Sequence, residues 1–358
     1  MTASIPAARR TLHDAPILDA AAGRAPTRTP VWFMRQAGRS LPEYREARKG
    51  ISMLDSCFMP ELLAEITLQP VRRHDVDAAI LFSDIVVPLR AAGVGVEIVP
   101  GKGPVMDKPI RSEADIANLP VLDEDVPEVS EGISRILAEL TDSQALIGFA
   151  GAPFTLASYL VEGGPSKNHE ITKALMHSEP QLWHHLMQRL MPTIINFLKV
   201  QIEAGIDAMQ LFDSWAGFLN ERDYREFVLP YSTEILTEVG RYQLPRIHFG
   251  VATGELLGAM STAGSEVMGV DWRLPLDRAA ERIHAESGPK VLQGNLDPAL
   301  LFAGRSVVTE EVARIKAEAQ AAIDAGHATG HIFNLGHGVL PNTPAEAITE
   351  TVAIIHEN

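Results

Sequence analysis

The chain has 358 residues, of which 46% are hydrophobic and 22% are charged, a globular balance that argues against a mostly disordered protein. Its 46 acidic residues outnumber 31 lysines and arginines, which gives a formal net charge of -15 at pH 7. This charge opposes nucleic-acid binding, because a nucleic-acid binder needs a basic face to displace counterions from phosphates. An anionic ligand would therefore need a site that carries its own local cations.

Cysteine content and hydropathy indicate the cellular compartment of the protein. The one cysteine, Cys57, excludes an intrachain disulfide and a multi-cysteine zinc site, and it is expected to be a small, partly buried hydrophobe. Uninterrupted apolar stretches stay below the roughly 18 residues that a membrane span needs. Arg9 and Arg10 are followed by Asp14 rather than by an apolar signal core, so we expect a cytoplasmic protein that does not enter membranes.

The predicted elements begin with an irregular arm over residues 1–28, which are rich in Ala, Pro and Arg. After this arm, short apolar runs alternate with helical patterns, and the runs lack the polar alternation of half-exposed strands. The segment 94–99 precedes a Gly- and Pro-rich stretch and is interpreted as a hairpin outside the main sheet. The predicted strands of the main sheet are 78–83, 145–150, 208–212, 246–249, 267–270, 291–293 and 331–335, with a weaker eighth candidate at 30–34.

Helical patterns separate these strands. Residues 186–204 and 308–325 each carry one apolar stripe, and Gly205 and Gly326 are expected to end them. The last helix is predicted to begin at Thr343-Pro344, where Thr343 and Glu346 would form a capping box.

The alternation predicts a fold of the α/β class. About eight strand–helix units over this length favour a single-domain (β/α)8 TIM-type barrel that covers residues 29–358. A doubly wound open sheet is the alternative fold.

Polar side chains follow several of the predicted strands, where a parallel barrel places its chemistry. Asp84 ends one run, Asp213 and Ser214 end another, and His337 follows the last run between glycines. The run 148–154 leads toward Tyr159. For each of these polar residues the alternative is a structural role, such as capping the next helix.

A basic segment stands out in this acidic chain. Arg35 and Arg39 flank Gln36, Ala37 and Gly38, and Arg45, Arg48 and Lys49 follow. Arginine forks bind carboxylates through paired hydrogen bonds, and a glycine lets a ligand approach the backbone. The segment therefore predicts an anion site, the alternative being a solvated basic face.

Motifs for other chemistries are incomplete. The sequence around Lys102 lacks P-loop spacing, and the stretch that begins at His169 ends in Lys173 where a zinc protease motif needs histidine. Neither GxGxxG after a strand nor GxSxG occurs, which weakens nucleotide-binding and hydrolase interpretations.

Two blocks of the sequence resemble the signatures of the uroporphyrinogen decarboxylase family. The first is PVWFMRQAGR at 30–39 with LPEYR at 41–45, and the second is GFAGAPF at 148–154 with Tyr159 and EGG at 162–164. The resemblance continues in order to the C-terminus through further blocks at 82–85, 101–104, 210–217, 269–272, 293–298 and 334–338.

This resemblance implies a homodimeric (β/α)8 barrel without metal or organic cofactor. The family removes CO2 from the four acetate side chains of uroporphyrinogen III and yields coproporphyrinogen III in haem biosynthesis. Asp84 would lie under the macrocycle and accept from its pyrrole N–H groups, and Arg35 would be the second catalytic residue. The substrate contacts implied by the resemblance are Arg35, Gln36, Ala37, Gly38, Arg39, Asp84, Tyr159, Ser214 and His337.

Two other functions remain to be weighed against decarboxylation. A zinc-dependent corrinoid methyltransferase of the same fold would need a thiolate–histidine site, and the lone Cys57 disfavours it. A non-enzymatic tetrapyrrole carrier would need the arginines but not Asp84.

Overall fold

The main sheet of the computed structural model, which describes residues 10–38 and 40–357, is parallel throughout. Its strand order is β1-β4-β5-β6-β7-β8-β9, and β2 and β3 form a separate antiparallel hairpin, as predicted for 94–99. The strands are β1 (Ala78–Ile80), β2 (Val96–Val99), β3 (Gly103–Met106), β4 (Ala145–Gly151), β5 (Ala208–Asp213), β6 (Arg246–Gly250), β7 (Val267–Gly269), β8 (Lys290–Gln293) and β9 (Ala328–Ile332).

Helices surround this sheet and connect its strands. Proline at the first helical position, where no N–H is needed, begins several of them, and Gly205 in the left-handed region ends the longest, as predicted. The helices are α1 (Pro16–Ala21), α2 (Pro42–Ala47), α3 (Met53–Ser56), α4 (Pro60–His74), α5 (Val87–Ala91), α6 (Glu113–Ala117), α7 (Pro127–Leu137), α8 (Pro153–Glu162), α9 (Glu170–Ser178), α10 (Pro180–Ala204), α11 (Glu221–Phe227), α12 (Leu229–Gly240), α13 (Leu257–Ser261), α14 (Leu276–Ser287), α15 (Arg305–Asp324) and α16 (Ala345–Glu357).

The segment 30–34 closes the sheet into a barrel. Val31 forms a parallel bridge with Phe333 beyond β9, and on its other side the Val31 carbonyl accepts from the Asp77 N–H at 2.9 Å. Both edges of the sheet therefore meet at this segment, which occupies the eighth strand position through an isolated bridge at Val31 and does not form the full strand predicted for 30–34. The open doubly wound sheet is wrong, because such a sheet leaves its edge strands unpaired.

Asp77 fixes the closing segment from below. Its carboxylate, 1% exposed, accepts from the Val31 N–H at 2.8 Å, from Nε of Arg28 at 2.9 Å and from Nε2 of His356 at 3.0 Å. One buried charge thus joins the eighth strand, the N-terminal segment and the last helix, α16. Charge-assisted hydrogen bonds of this kind are stronger than neutral ones.

Helix α1 covers the N-terminal end of the barrel. Ile17, Ala20 and Ala21 are buried in one apolar cluster with the side chains that fill the barrel interior. Arg10 forms an ion pair with the buried Asp207 at 2.8 Å. The described part of the arm, expected to be irregular, therefore contains a helix; its short apolar stripe has no sequence period of its own and folds against the barrel.

Two local predictions differ from the structure. The last strand was predicted at 331–335 but lies at Ala328–Ile332, because the backbone of the polar start pairs with β8 around a bulge at Lys290 and Val291. The predicted capping box is also wrong: the Thr343 hydroxyl is buried without a hydrogen-bond partner among the described residues, and Glu346 pairs with Arg73 at 3.3 Å.

Replacing Asp77 tests the closure of the barrel. We expect Asp77→Ala to lower the free energy of unfolding by about 3–5 kcal/mol, because it strands buried donors and one arginine without their shared carboxylate. Asp75→Asn removes the charge of an Arg28 partner that is 74% exposed, and asparagine tolerates the left-handed backbone at this position, so we expect a loss below about 1 kcal/mol. Urea unfolding of both variants measures the difference, and equal losses would contradict the role of Asp77.

Candidate active site

The loop after the closing segment forms one wall of the barrel mouth. The Gln36 N–H donates to the Phe33 carbonyl at 3.0 Å, and Arg35 lies in this turn with a φ of 63°. A left-handed backbone is costly for a non-glycine residue and persists only where the surroundings impose it. Here the Met34 N–H donates to Oδ1 of Asn334 at 3.1 Å, which ties the turn to the loop after β9.

Gln36 supports the turn from inside. Its side chain is fully buried: Oε1 accepts from the Phe33 N–H at 2.8 Å, and Nε2 donates to the Ala78 carbonyl at 2.9 Å. These two bonds connect the turn to the start of β1. The side chain of Gln36 therefore holds Arg35 in place, and its contact with a ligand stays a prediction.

The rest of the basic segment continues around the mouth. Ala37 is partly buried. A Cβ on Gly38 would meet the Arg35 carbonyl at 3.6 Å, an ordinary contact, so packing against the described residues does not require glycine there. The backbone approach of a ligand remains the expected reason for this glycine. Arg39 lies outside the described residues.

Asp84 lies between β1 and α5, opposite Arg35. Its Oδ1 accepts from the Val86 N–H at 3.1 Å, so the carboxylate also caps the turn that leads into α5. Burial raises the pKa of Asp84, and backbone N–H groups and the charge of Arg35 counteract that rise. The structure thus brings these two predicted catalytic residues into one electrostatic environment.

Tyr159, on α8, faces the same charges. Desolvation raises its pKa to about 12, with a further rise from Asp84 and a lowering from Arg35. Its ring packs edge-on against Trp215, 6.0 Å between centroids. Trp215 follows Ser214 in the loop after β5, so the ring contact places this loop beside Tyr159.

Thr155 holds the loop that carries Ser214. Its hydroxyl donates to Oδ1 of Asp213 at 3.0 Å and accepts from the Trp215 N–H at 3.2 Å. Asp213 is fully buried, and its carboxylate is held by Thr155 on α8. Of the two polar residues that end β5, Asp213 is therefore structural, and Ser214, which is partly buried, remains the substrate-contact candidate.

His337 completes the ring of predicted residues from the loop after β9. Its Nδ1 accepts from the Gly338 N–H at 2.5 Å, which leaves the proton of a neutral ring on Nε2. Gly338 lies under the stem of Arg35, because an added Cβ would come within 2.7 Å of Arg35 Cγ. His337 and Arg35 are thus adjacent on this side of the mouth.

Polar side chains missed by the sequence analysis form the floor below the mouth. The Trp32 indole donates to Gln293 at 3.1 Å, Gln293 donates to Gln210 at 2.8 Å, and Gln210 contacts the Met34 sulfur at 3.5 Å. Glutamines within apolar strands were the available signal. This chain of contacts joins the closing segment to β8 and β5.

Cys57 behaves as the small buried hydrophobe that was predicted. It is fully buried, and burial and the charge of Asp84 raise its thiol pKa well above the usual range. Among residues 10–38 and 40–357, no three His, Cys, Asp or Glu side chains are grouped so that they could hold a metal ion. The described helices include none long and apolar enough to cross a membrane.

Comparison with known proteins identifies the family. The profile described as uroporphyrinogen decarboxylase (URO-D) matches residues 12–358. A uroporphyrinogen decarboxylase of Corynebacterium glutamicum (strain R) is 82% identical over 99% of both chains. That of Saccharopolyspora erythraea is 61% identical, again over 99% of both chains. The chain belongs to the uroporphyrinogen decarboxylase family.

A solved structure resembles this chain in fold alone. A methyltransferase from Methanosarcina mazei superposes with a TM-score of 0.79 over 97% of this chain and 99% of its own, at 18% identity. This likeness supports the barrel, and at such low identity it says nothing of the reaction.

Gly338→Ala tests how the uroporphyrinogen decarboxylase loop after β9 positions Arg35. The added methyl must displace the Arg35 stem, and a misplacement of about 1 Å costs up to ~100-fold in rate, so we expect kcat/KM for uroporphyrinogen to fall about 10–100-fold.

Gly254→Ala is the matched control, since its Cβ would meet Arg282 Nη1 at an ordinary 3.6 Å. Both variants should keep the thermal midpoint of the wild type within a few degrees. Wild-type kcat/KM in Gly338→Ala would contradict the positioning role.

Proposed function

We propose that the mouth of this barrel decarboxylates the acetate side chains of uroporphyrinogen, with Arg35 and Asp84 as its catalytic residues. The observation that carries the reaction is the 82% identity to a uroporphyrinogen decarboxylase over 99% of both chains. The chain is a carboxy-lyase of tetrapyrrole biosynthesis. The roles of individual residues rest on their positions around the mouth.

Substrate capture depends on local cations. Uroporphyrinogen carries eight carboxylates, whereas the chain has a net charge of -15, so long-range attraction is poor. Arg35 is exposed at the mouth and has no ion pair among the described residues, which leaves its guanidinium fork for a carboxylate. Arg39, the Gly38 backbone, Tyr159, Ser214 and His337 complete the proposed contacts.

The reaction needs an electron sink, which the pyrrole ring provides once it is protonated. A proton adds to a ring carbon and gives a cationic, iminium-like ring. The bond between the acetate methylene and CO2 then breaks, and its electron pair neutralises the ring cation. Protonation of the methylene and loss of the ring proton give a methyl group, so that each cycle consumes one proton, releases one CO2 and needs no external oxidant or reductant.

Asp84 stabilises the cation in this proposal. A preorganised carboxylate beside the pyrrole N–H groups faces the positive charge that develops in the transition state. The fixed turn into α5 holds the carboxylate through the Val86 N–H, so little reorganisation is needed during the reaction. The low-polarity surroundings that raise the Asp84 pKa also strengthen its attraction to a cation.

Arg35 is the proposed partner for the proton. A guanidinium with a pKa above about 12 is a poor direct acid. We therefore propose that the proton comes from a water molecule held between the Arg35 guanidinium and a substrate carboxylate. The guanidinium keeps the water and the carboxylate in fixed positions. Burial raises the pKa of Tyr159 to about 12, still further above neutral pH than the ordinary tyrosine value, so its hydroxyl stays protonated.

Four further features belong to the proposal. Residues 29–358 act as one catalytic domain, the protein is a homodimer in the cytoplasm, no organic cofactor takes part, and neither nucleic acid nor membrane is a partner. The acidic charge supports the exclusion of nucleic acid. The curated relatives favour decarboxylation over methyl transfer, and Asp84 distinguishes the enzyme from a mere carrier.

An anaerobic incubation with uroporphyrinogen III and excess chelator tests this function. We expect seven-, six-, five- and four-carboxylate products in sequence, separated after oxidation by carboxylate number. Unchanged substrate, with the protein folded and the substrate still reduced, would contradict the proposal. Activity that disappears with chelator and returns with zinc would favour the metal-dependent alternative.

Asp84→Asn tests the stabilising charge, because the amide oxygen still accepts from the Val86 N–H. Removing one preorganised group costs about 10²–10³ in rate, so we expect kcat to fall by that factor with a smaller change in KM. Asp75→Asn, on the exposed surface, is the control.

The pH profile gives a second readout of Asp84. Its pKa is raised, so the active carboxylate is lost as pH falls through a value above the ordinary aspartate pKa. The acid limb of the wild-type profile should therefore lie above about pH 4 and move to lower pH in Asp84→Asn, where the carboxylates of the substrate still titrate. Near-wild-type turnover in this variant would refute the role of Asp84.

A further inference from the structure

The loop after β7 places an arginine beside the predicted substrate contacts. The Trp272 ring lies 6.1 Å from the His337 ring, centroid to centroid. The backbones of these two loops also touch, since a Cβ on Gly336 would come within 2.8 Å of Trp272 Cα. Arg273 follows Trp272, so a continuous row of contacts runs from Arg35 through Gly338 and His337 to this arginine.

Arg273 is held in place on two sides. Its Nη1 donates to Oδ2 of Asp271 at 2.7 Å, and the Asp271 carboxylate is only 2% exposed. Its guanidinium carbon lies 3.9 Å from the centre of the Trp272 ring, which is cation–π stacking. Oδ1 of Asp271 accepts from the Arg273 N–H at 2.9 Å, so the backbone is fixed as well. This long side chain is thus already ordered in the free protein, so ligand binding costs little further conformational entropy.

The same side chain remains open to a ligand. It is 49% exposed, unlike the carboxylate that anchors it. A guanidinium has five N–H donors, and within the described part of the chain the side chain makes one hydrogen bond, to Asp271. Four donors therefore remain. A planar, stacked and half-exposed guanidinium is the group that binds a carboxylate through two parallel bonds.

We propose that Arg273 binds a carboxylate of the substrate at the rim of the mouth, on the far side of His337 from Arg35. This inference rests on the proposed function, because the polycarboxylate substrate supplies the ligand. Two fixed cations on separate loops would orient a macrocycle that carries acidic groups around its edge. Arg273 acts in binding and is not assigned to proton transfer or CO2 loss.

Steady-state kinetics of Arg273→Gln test the proposal. A lost charge-assisted hydrogen bond is worth about 1.5–3 kcal/mol, and the half-exposed position favours the lower end, so we expect KM to rise about tenfold. We expect kcat to stay within about twofold, since the interaction is made equally in ground and transition states. Log KM should also rise less steeply with log salt than in the wild type.

Two variants separate local binding from net charge and from folding. Arg278→Gln removes a charge that is 62% exposed and paired with Glu281 on α14, and its KM should stay unchanged. Arg273→Lys keeps the ion pair with Asp271 but loses the fork. It should therefore have the stability of the wild type and a KM between those of the wild type and Arg273→Gln. Equal KM shifts in Arg273→Gln and Arg278→Gln would overturn the proposal.

An equilibrium measurement keeps the inference separate from the proposed reaction. Fluorescence titration with oxidised uroporphyrin, an eight-carboxylate probe, gives a Kd without turnover. We expect the Kd to rise about tenfold in Arg273→Gln and to stay constant in Arg278→Gln. Wild-type Kd and KM in Arg273→Gln would refute the role of Arg273, whereas an inactive wild type with the expected Kd shift would refute only the proposed reaction.

Discussion

The contact between Asp77 and Val31 closes the barrel, and it also determines where Arg35 lies. Residues 30–34 hold the last strand position by a single bridge to Phe333 and by hydrogen bonds to Asp77. A regular strand with a full ladder of backbone hydrogen bonds at this position would have been more stable. The short bridge instead lets the chain turn at once into the mouth, where Gln36 and Asn334 fix the turn that carries Arg35. Closure of the fold and construction of the site therefore depend on the same segment.

The electrostatics of the mouth depend on the balance between Asp84 and the cation beside it, Arg35. The chain carries a large negative charge, and Asp84 is partly buried, in surroundings that raise its pKa. Arg35 is the charge that opposes this rise, so displacing the turn would affect both substrate capture and the ionisation of Asp84. The two proposed catalytic residues are coupled through space, although one follows the closing segment and the other follows β1.

Sequence periodicity predicted the inner strands well, because segments such as 145–150 and 208–212 are buried on both faces and contain apolar runs. It failed where long-range contacts determine structure. Helix α1 packs against the N-terminal end of the barrel, and β9 pairs with β8 through its polar first residues. Asp84, Ser214 and His337 could be singled out because parallel strand ends converge at one edge, whereas the substrate roles assigned to them rest on the family resemblance and stay predictions. Arg273 was missed, since its stacking on Trp272 and its pair with Asp271 leave no helical or strand period in the sequence.

Hydrogen bonds join several of the loops around the mouth to one another. Asp271 accepts from the Ala252 N–H as well as from Arg273, and the Asn295 amide donates to the Asp271 carbonyl at 2.9 Å. The loops after β6, β7 and β8 thus share one buried carboxylate and its backbone. Gly336 and Gly338 bring the loop after β9 against Trp272 and Arg35, so a series of loop contacts connects Arg35 with Arg273. On the proposal that Arg35 and Arg273 each bind a substrate carboxylate, these linked loops hold the two guanidinium groups at a set distance, and that distance would restrict which macrocycles can bind to both.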